Sequence, residues 1–323
     1  MSTMGMVITA AGTAAHTTAG APASAVDLAA RAARDCLARA QVSPSAVGIL
    51  INVGVYRESN TFEPAVAALV QKQVGMNLDY IADPQPAAGF SFDLMNGACG
   101  VLNAVQAGQA LLDTAATERL LITAADVHPA GDARRDPHYP YADLAGAFLL
   151  ERSPDPDAGF GPVRHYHGNG PSDTTGYLDT ATMGSEGRSR ITVRRSPGHE
   201  ARRAELAATA VADYAARHGL DLDRTCVIGP HPTADVVVTR SPAAQDPGTE
   251  GAGSDGPGAE GPATDGAGAD GAGGSGEPHT AAPVLGYLQA LAERRPRRHD
   301  QLLFVTVGAG PTAACVGYRP EAW

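Results

Sequence analysis

Leu28-Ala-Ala-Arg-Ala-Ala-Arg-Asp35, running on through Arg39 and Val42 to Ile49, is answered 178 positions later by Leu206-Ala-Ala-Thr-Ala-Val-Ala-Asp213, running on through Arg217 and Leu220 to Val227. Each copy reads as an amphipathic helix, a short turn and an apolar strand. Leu28 and Leu206, Asp35 and Asp213, Arg39 and Arg217, and Ile49 and Val227 keep the same spacing without a gap. Ala-rich helices resemble one another by chance, but the shared helix–turn–strand order favours a duplicated α/β half. Around the two copies, 64–75 and 100–112 read as helices, and 119–124, 144–150 and 302–307 as buried strands. Strands alternating with helices predict a layered α/β architecture with mixed or parallel sheets.

Composition narrows the function classes. Residues are 43% hydrophobic but only 5% aromatic, so the core must be built from Ala, Val and Leu. The net charge of −11 argues against a general nucleic-acid binder. No basic patch precedes an apolar run at the start, and no run of 18 apolar residues occurs, so a cytoplasmic protein without a membrane segment is expected. Cys36, Cys99, Cys226 and Cys315 lie far apart without a CxxC pair, which speaks for reduced thiols and against a zinc site. Residues 241–278 stand apart: except for Gln245 they are Gly, Ala, Pro, Ser, Thr and acidic residues, without an aromatic or basic one. Seven acidic groups fall here, leaving −4 on the rest of the chain. Such a segment has too little apolar area to offset its ordering entropy and is expected to be a disordered loop.

The chemistry points to Phe90-Ser-Phe-Asp-Leu-Met-Asn-Gly-Ala-Cys-Gly-Val-Leu-Asn-Ala-Val-Gln106. Residues 90–94 read as a strand, Gly97 permits a tight turn, and a helix begins near Cys99 or Gly100. A thiol at a helix start faces unpaired N–H groups and the positive end of the dipole, which favour the reactive thiolate. The N–H groups of the same turn are candidates to hold an oxyanion. A buried structural cysteine is the plain alternative.

This segment resembles the strand–cysteine–helix motif of the ketosynthase III (β-ketoacyl-acyl carrier protein synthase III) enzymes of the thiolase superfamily. Three further matches follow in order. Tyr141-Ala-Asp-Leu-Ala-Gly-Ala-Phe-Leu-Leu-Glu151 is similar to that family's Gly-Asp-Gly-Ala-Gly-Ala strand. Val227-Ile-Gly-Pro-His-Pro-Thr-Ala-Asp235 is similar to the segment that supplies its histidine. Gln301-Leu-Leu-Phe-Val-Thr-Val-Gly-Ala-Gly-Pro-Thr312 is similar to its closing strand and glycine loop. The resemblance implies an α/β thiolase fold: two duplicated halves in a layered αβαβα sandwich. Residues 1–158 would carry the nucleophile, and 159–323 the histidines and the loop at 241–278.

Residue by residue, the resemblance implies Cys99 as the nucleophile and His231 beside it. His279, in Pro278-His-Thr-Ala-Ala-Pro283, stands where the family places an asparagine. A Cys-His-His set is the pattern of elongating ketosynthases, and it also suits relatives that pass an acyl group to oxygen or nitrogen. Gly308 and Gly310 are expected to bring backbone close to the acyl site, since Gly-Ala-Gly-Pro-Thr lacks the lysine of a phosphate loop. His165 and His167 share one face of a strand, but no ligand cluster accompanies them, so a surface role is expected. His128 and His138 flank an Arg134-Arg135 loop and are expected in solvent. No cofactor or metal is implied.

The expected partner is an acyl carrier protein or acyl-CoA thioester. The carrier is preferred, because the chain reaches its first long helix by Ala25 without the Trp and Arg that grip coenzyme A in the family. A homodimer is implied by the same resemblance. The first function expected is Cys-bound acyl transfer to an acceptor in polyketide- or fatty-acid-like metabolism. Decarboxylative condensation and a silent partner subunit, which would make the dimer a heterodimer, are the alternatives. A coenzyme A-using thiolase would need a second cysteine near the glycine loop, and Cys315 reads instead as core.

Overall fold

The computed structural model describes residues 5–16, 23–61, 63–76, 89–114, 117–130, 138–181, 183, 187–229, 276–293 and 299–321. Its first sheet contains β1 (Gly5–Ala15), β2 (Ile49–Asn52), β3 (Phe90–Asp93), β4 (Arg119–Asp126) and β5 (Leu144–Ser153), in the order β1-β5-β4-β2-β3. Strands β2, β3 and β4 run parallel, and β5 is antiparallel to both β4 and β1. Three helices belong to this half: α1 (Ala25–Ala40), α2 (Val66–Val74) and α3 (Gly100–Thr114).

The second sheet repeats the plan. Short strands β6 (Gly159–Phe160) and β7 (Arg164–His167) lie antiparallel to β12 (Thr312–Arg319). β12 is antiparallel to β11 (Gln301–Gly308), which is parallel to β10 (Thr225–Ile228). A separate ribbon pairs β8 (Thr174–Tyr177) with β9 (Thr192–Arg195). Helices α4 (His199–His218) and α5 (Ala282–Ala292) complete the described elements used below.

Three apolar layers separate the elements. Strand side chains alternate between faces, and the alternation decides which layer each joins. Leu120, Ile122, Leu302 and Phe304 point into a middle core shared by α3, α5 and both sheets. Leu50, Leu121 and Leu149 point outward under α1 and α2. Val227, Leu303 and Val305 point outward under α4. The result is helix, sheet, helix, sheet, helix.

Small residues set the spacing in the first layer. Ala29, Ala30, Ala32 and Ala33 of α1 are fully buried. A Cβ added to Gly12 of β1 would lie 2.4 Å from the Ala32 carbonyl oxygen, so the helix backbone rests directly on the strand.

The repeat holds through both outer helices. Asp35–Arg39 on α1 and Asp213–Arg217 on α4 form the same i,i+4 ion pair. At the strands it slips by one. Ile49 pairs with Leu120 and Cys226 pairs with Leu302, all facing the middle core. The match of Ile49 is therefore Cys226 and not Val227; Val227 faces α4 as Leu50 faces α1. Most of the segment 241–278 expected to be disordered, and His231, lie outside the described residues.

Candidate active site

Parallel strands β2, β3 and β4 end at one sheet edge, and the site is built there. After β3, Gly97 (φ 50°) turns the chain into a short 3₁₀ turn, Gly97–Cys99, and α3 starts at Gly100. Asp93 at the end of β3 accepts the N–H groups of Val66 and Ala67, both at 2.9 Å, and so caps α2.

Cys99 is 1% exposed, in the middle core. Its sulfur lies 4.0 Å from the Thr306 carbonyl oxygen. Burial pushes the Cys99 thiol up; the neighbouring Thr306 and Thr312 side chains, the Gly308 backbone and the charge of Arg203 oppose it. The thiolate expected from the helix start is therefore not the resting form. A helix dipole contributes up to about 2 kcal/mol in favourable geometry, less than the desolvation of a buried anion. The Cys99 N–H is also committed, donating to the Asn96 carbonyl at 3.1 Å.

Gly308 ends β11 against this sulfur. A Cβ placed on it would stand 3.4 Å from Cys99 Sγ and 3.0 Å from Thr312 Oγ1. Gly310 is different: nothing lies within 4 Å of the same imagined atom.

His279 reaches the site from the other half of the chain, on the turn His279–Ala281 that leads into α5, and this turn packs against Gly97–Cys99. A Cβ on Gly97 would meet His279 Nε2 at 3.5 Å. The His279 backbone has φ 37°, a left-handed conformation that side chains rarely adopt. The ring is held on three sides. Tyr141 stacks on it at 4.1 Å between centroids, Tyr56 at 5.4 Å, and Nδ1 lies 3.0 Å from Asp126 Oδ2.

Asp126, at the end of β4, is the site residue missed from the sequence. It is 2% exposed and accepts from Val55 N–H at 2.9 Å, Tyr56 N–H at 2.8 Å, Thr280 N–H at 3.1 Å and the Thr280 hydroxyl. Burial alone would raise the Asp126 carboxyl; the charge and hydrogen bond of His279, with those of Thr280 and Tyr56, bring it below its ordinary value. An ionised Asp126 can only accept, so Nδ1 carries the His279 proton. In the neutral imidazole Nε2 is then the free lone pair.

A cleft joins these parts, lined by Ala98, His279, Gly308, Tyr141 and the charged Arg195, Arg203 and Glu277. His279 and Gly308 line this cleft, and Cys99 is buried directly behind Gly308 on the turn that packs against His279; Gly310 does not join them, and His231 lies outside the described residues. Cys315 is fully buried under α4, in a different layer from Cys99, and burial raises its thiol. His165 bonds Gln106 at 2.9 Å on the surface, and among the described residues no His/Cys/Asp/Glu group fits a metal. His128 corrects an expectation. It is 1% exposed; its N–H donates to Asp143 at 2.7 Å, and its ring packs edge-on against Tyr139 at 4.7 Å.

No protein-family model matches the chain, and no curated protein matches it. Solved structures do. The 3-oxoacyl-[acyl-carrier-protein] synthase III of Aquifex aeolicus is similar with a TM-score of 0.68 at 15% identity, over 98% of this chain and 100% of that one. Its counterpart from Pseudomonas aeruginosa gives 0.69 at 16%, over 99% of each. A tetronic acid condensing enzyme gives 0.70 at 16%, over 97% of this chain and 99% of that one. The chain therefore has the α/β thiolase fold. Within that fold its likeness is to ketosynthase III structures, end to end.

Proposed function

We propose that this protein is a cysteine-dependent acyltransferase, in which Cys99 takes an acyl group from a carrier-protein thioester and His279 activates an oxygen or nitrogen acceptor. The observation that carries this reading is the 3.0 Å contact between Asp126 and His279 Nδ1. A carboxylate on Nδ1 fixes the tautomer whose Nε2 accepts a proton, which is the need of a general base. Holding an enolate in a decarboxylative condensation needs a donor at that position instead.

The proposed steps are these. The buried Cys99 thiol attacks the thioester carbonyl as its proton leaves to a base in the cleft; His279 Nε2 is the candidate. Gly308 and Thr312 stabilise sulfur charge, and the carrier thiol departs protonated. The acceptor hydroxyl or amine then loses its proton to Nε2 as it attacks the acyl-Cys99 carbonyl. Cys99 leaves as thiol when that proton returns.

Condensation is the second reading, favoured by the likeness to condensing enzymes. It would enlist His231 as a further donor. Intact-mass analysis after incubation with acyl carrier-protein thioesters tests the nucleophile: the acyl mass shift is expected with Cys36→Ala, Cys226→Ala and Cys315→Ala and absent in Cys99→Ala. Labelled carbon dioxide release from malonyl carrier protein separates the reactions. Robust release that disappears in His279→Ala would replace acyl transfer by condensation.

A further inference from the structure

Arg203, on the second turn of α4, is poorly satisfied for a charge so well buried. Its side chain is only 11% exposed, yet its nearest carboxylate oxygens are Glu277 Oε2 at 3.6 Å and Glu200 Oε1 at 3.7 Å. Glu277 is already engaged by Arg195 Nη1 at 2.5 Å, and Glu200 lies 2.8 Å from His199 Nε2, an atom itself buried without a hydrogen-bond partner among the described residues. Arg195 Nε is buried with no hydrogen-bond partner among the described residues. Before His279 is counted, the charged groups lining the cleft are Arg195, Arg203 and Glu277, one positive charge in excess. A guanidinium taken out of water with too few acceptors is costly, and these two, which share Glu277, line the cleft that holds His279 and Gly308. The charge of Arg203 is felt at Cys99.

We propose that Arg203, assisted by Arg195, forms a carboxylate subsite beside Cys99, so that one of the two substrates carries a carboxylate close to the reacting carbonyl. This deepens the acyltransfer reading and rests on it for the identity of the reaction. A carboxylate matches the planar guanidinium fork and fills donors that a plain alkyl acyl chain would leave unmet. The substrate class is a short dicarboxylic hemithioester as donor, or a hydroxy or amino acid as acceptor.

Two near-isosteric pairs of probes test the subsite without acyl transfer. Iodoacetate and iodoacetamide compete for Cys99, read by peptide mass spectrometry, and malonate and malonamide are titrated by calorimetry. In the wild type, the iodoacetate-to-iodoacetamide ratio at Cys99 is expected roughly tenfold above that of free cysteine, and malonate should bind in preference to malonamide. Arg203→Ala, checked for native circular dichroism, should lose both preferences, and Arg203→Lys should keep part of each. Either preference, if lost in Arg203→Ala, upholds the subsite; absence of both in the wild type, or their survival in Arg203→Ala, overturns it. These outcomes stand whether or not any thioester acylates Cys99. Faster loading by malonyl than acetyl thioester then assigns the carboxylate to the donor. Equal loading with preference for carboxylated over amidated acceptors assigns it to the acceptor, and neither preference, in a protein that does load, overturns the substrate class while the probe pairs decide the subsite.

Discussion

Cys99, His279 and Asp126 show how far single residues can be read. The thiol and the histidine stand out in the sequence because they sit in motifs with a family likeness. Asp126 does not, since an acid closing an apolar strand reads as the first solvated residue of a loop. Only the structure shows it buried, with five donors around it. The hint was positional: a strand running parallel to the one before Cys99 ends at the same sheet edge. Asp126→Asn keeps the shape but can present its amide to Nδ1, turning the imidazole to the wrong tautomer. Transfer is expected to fall by roughly 10² to 10⁴, measured as single-turnover loss of acyl from Cys99. The same residue links stability to pH. Its folded-state pKa lies below the ordinary 3.8, so its contribution is present above that value and is lost as pH falls through the lower, folded-state value. Thermal melts between pH 7 and 2 should show a steeper acid decline for the wild type than for Asp126→Asn. Gly308→Ala is the contrasting case. Crowding of the sulfur by the new Cβ at 3.4 Å should abolish acylation while leaving the melting temperature within a few degrees of the wild type.

Elements were legible where their periodicity was strong. Residues 100–112 and 119–124 form α3 and β4 with ends extended by two residues, and 64–75 forms α2, Val66–Val74. β1, Gly5–Ala15, was not read, because Ala, Gly and Thr give no alternation for the eye to follow; its identity comes from pairing with β5. The one-residue slip at β10 was equally hidden, since Cys226 and Val227 are both apolar and only the sheet decides which faces inward. The contact of Gly12 with α1 belongs to this scale. Gly12→Ala places a Cβ 2.4 Å from the Ala32 carbonyl oxygen, so the helix must lift from the sheet. A loss of about 1–3 kcal/mol is expected in urea unfolding, the usual cost of overpacking. An unchanged midpoint would show that the helix shifts freely.

At the scale of the whole molecule, the duplicated half was legible in the helix–turn–strand repeat, while the way two halves make one site was not. Association is expected at the free side of β3, which closes the first sheet among the described residues, with Phe90 and Met95 47% and 48% exposed beside it. A homodimer through this edge should give twice 32.9 kDa by light scattering, and Phe90→Lys should return the single-chain mass. The order of strands in the second sheet carries a different consequence, for synthesis on the ribosome. β12 lies between β11 and the pair β6 and β7, which are made some 150 residues earlier. Among the described residues those two short strands pair only with it, and the groups around the Cys99 sulfur, from Thr306, Gly308 and Thr312, come at the same late stage. A nascent chain thus displays its cysteine long before it owns the pocket that governs it, and the thiol comes under control only once residues 306–312 have been made.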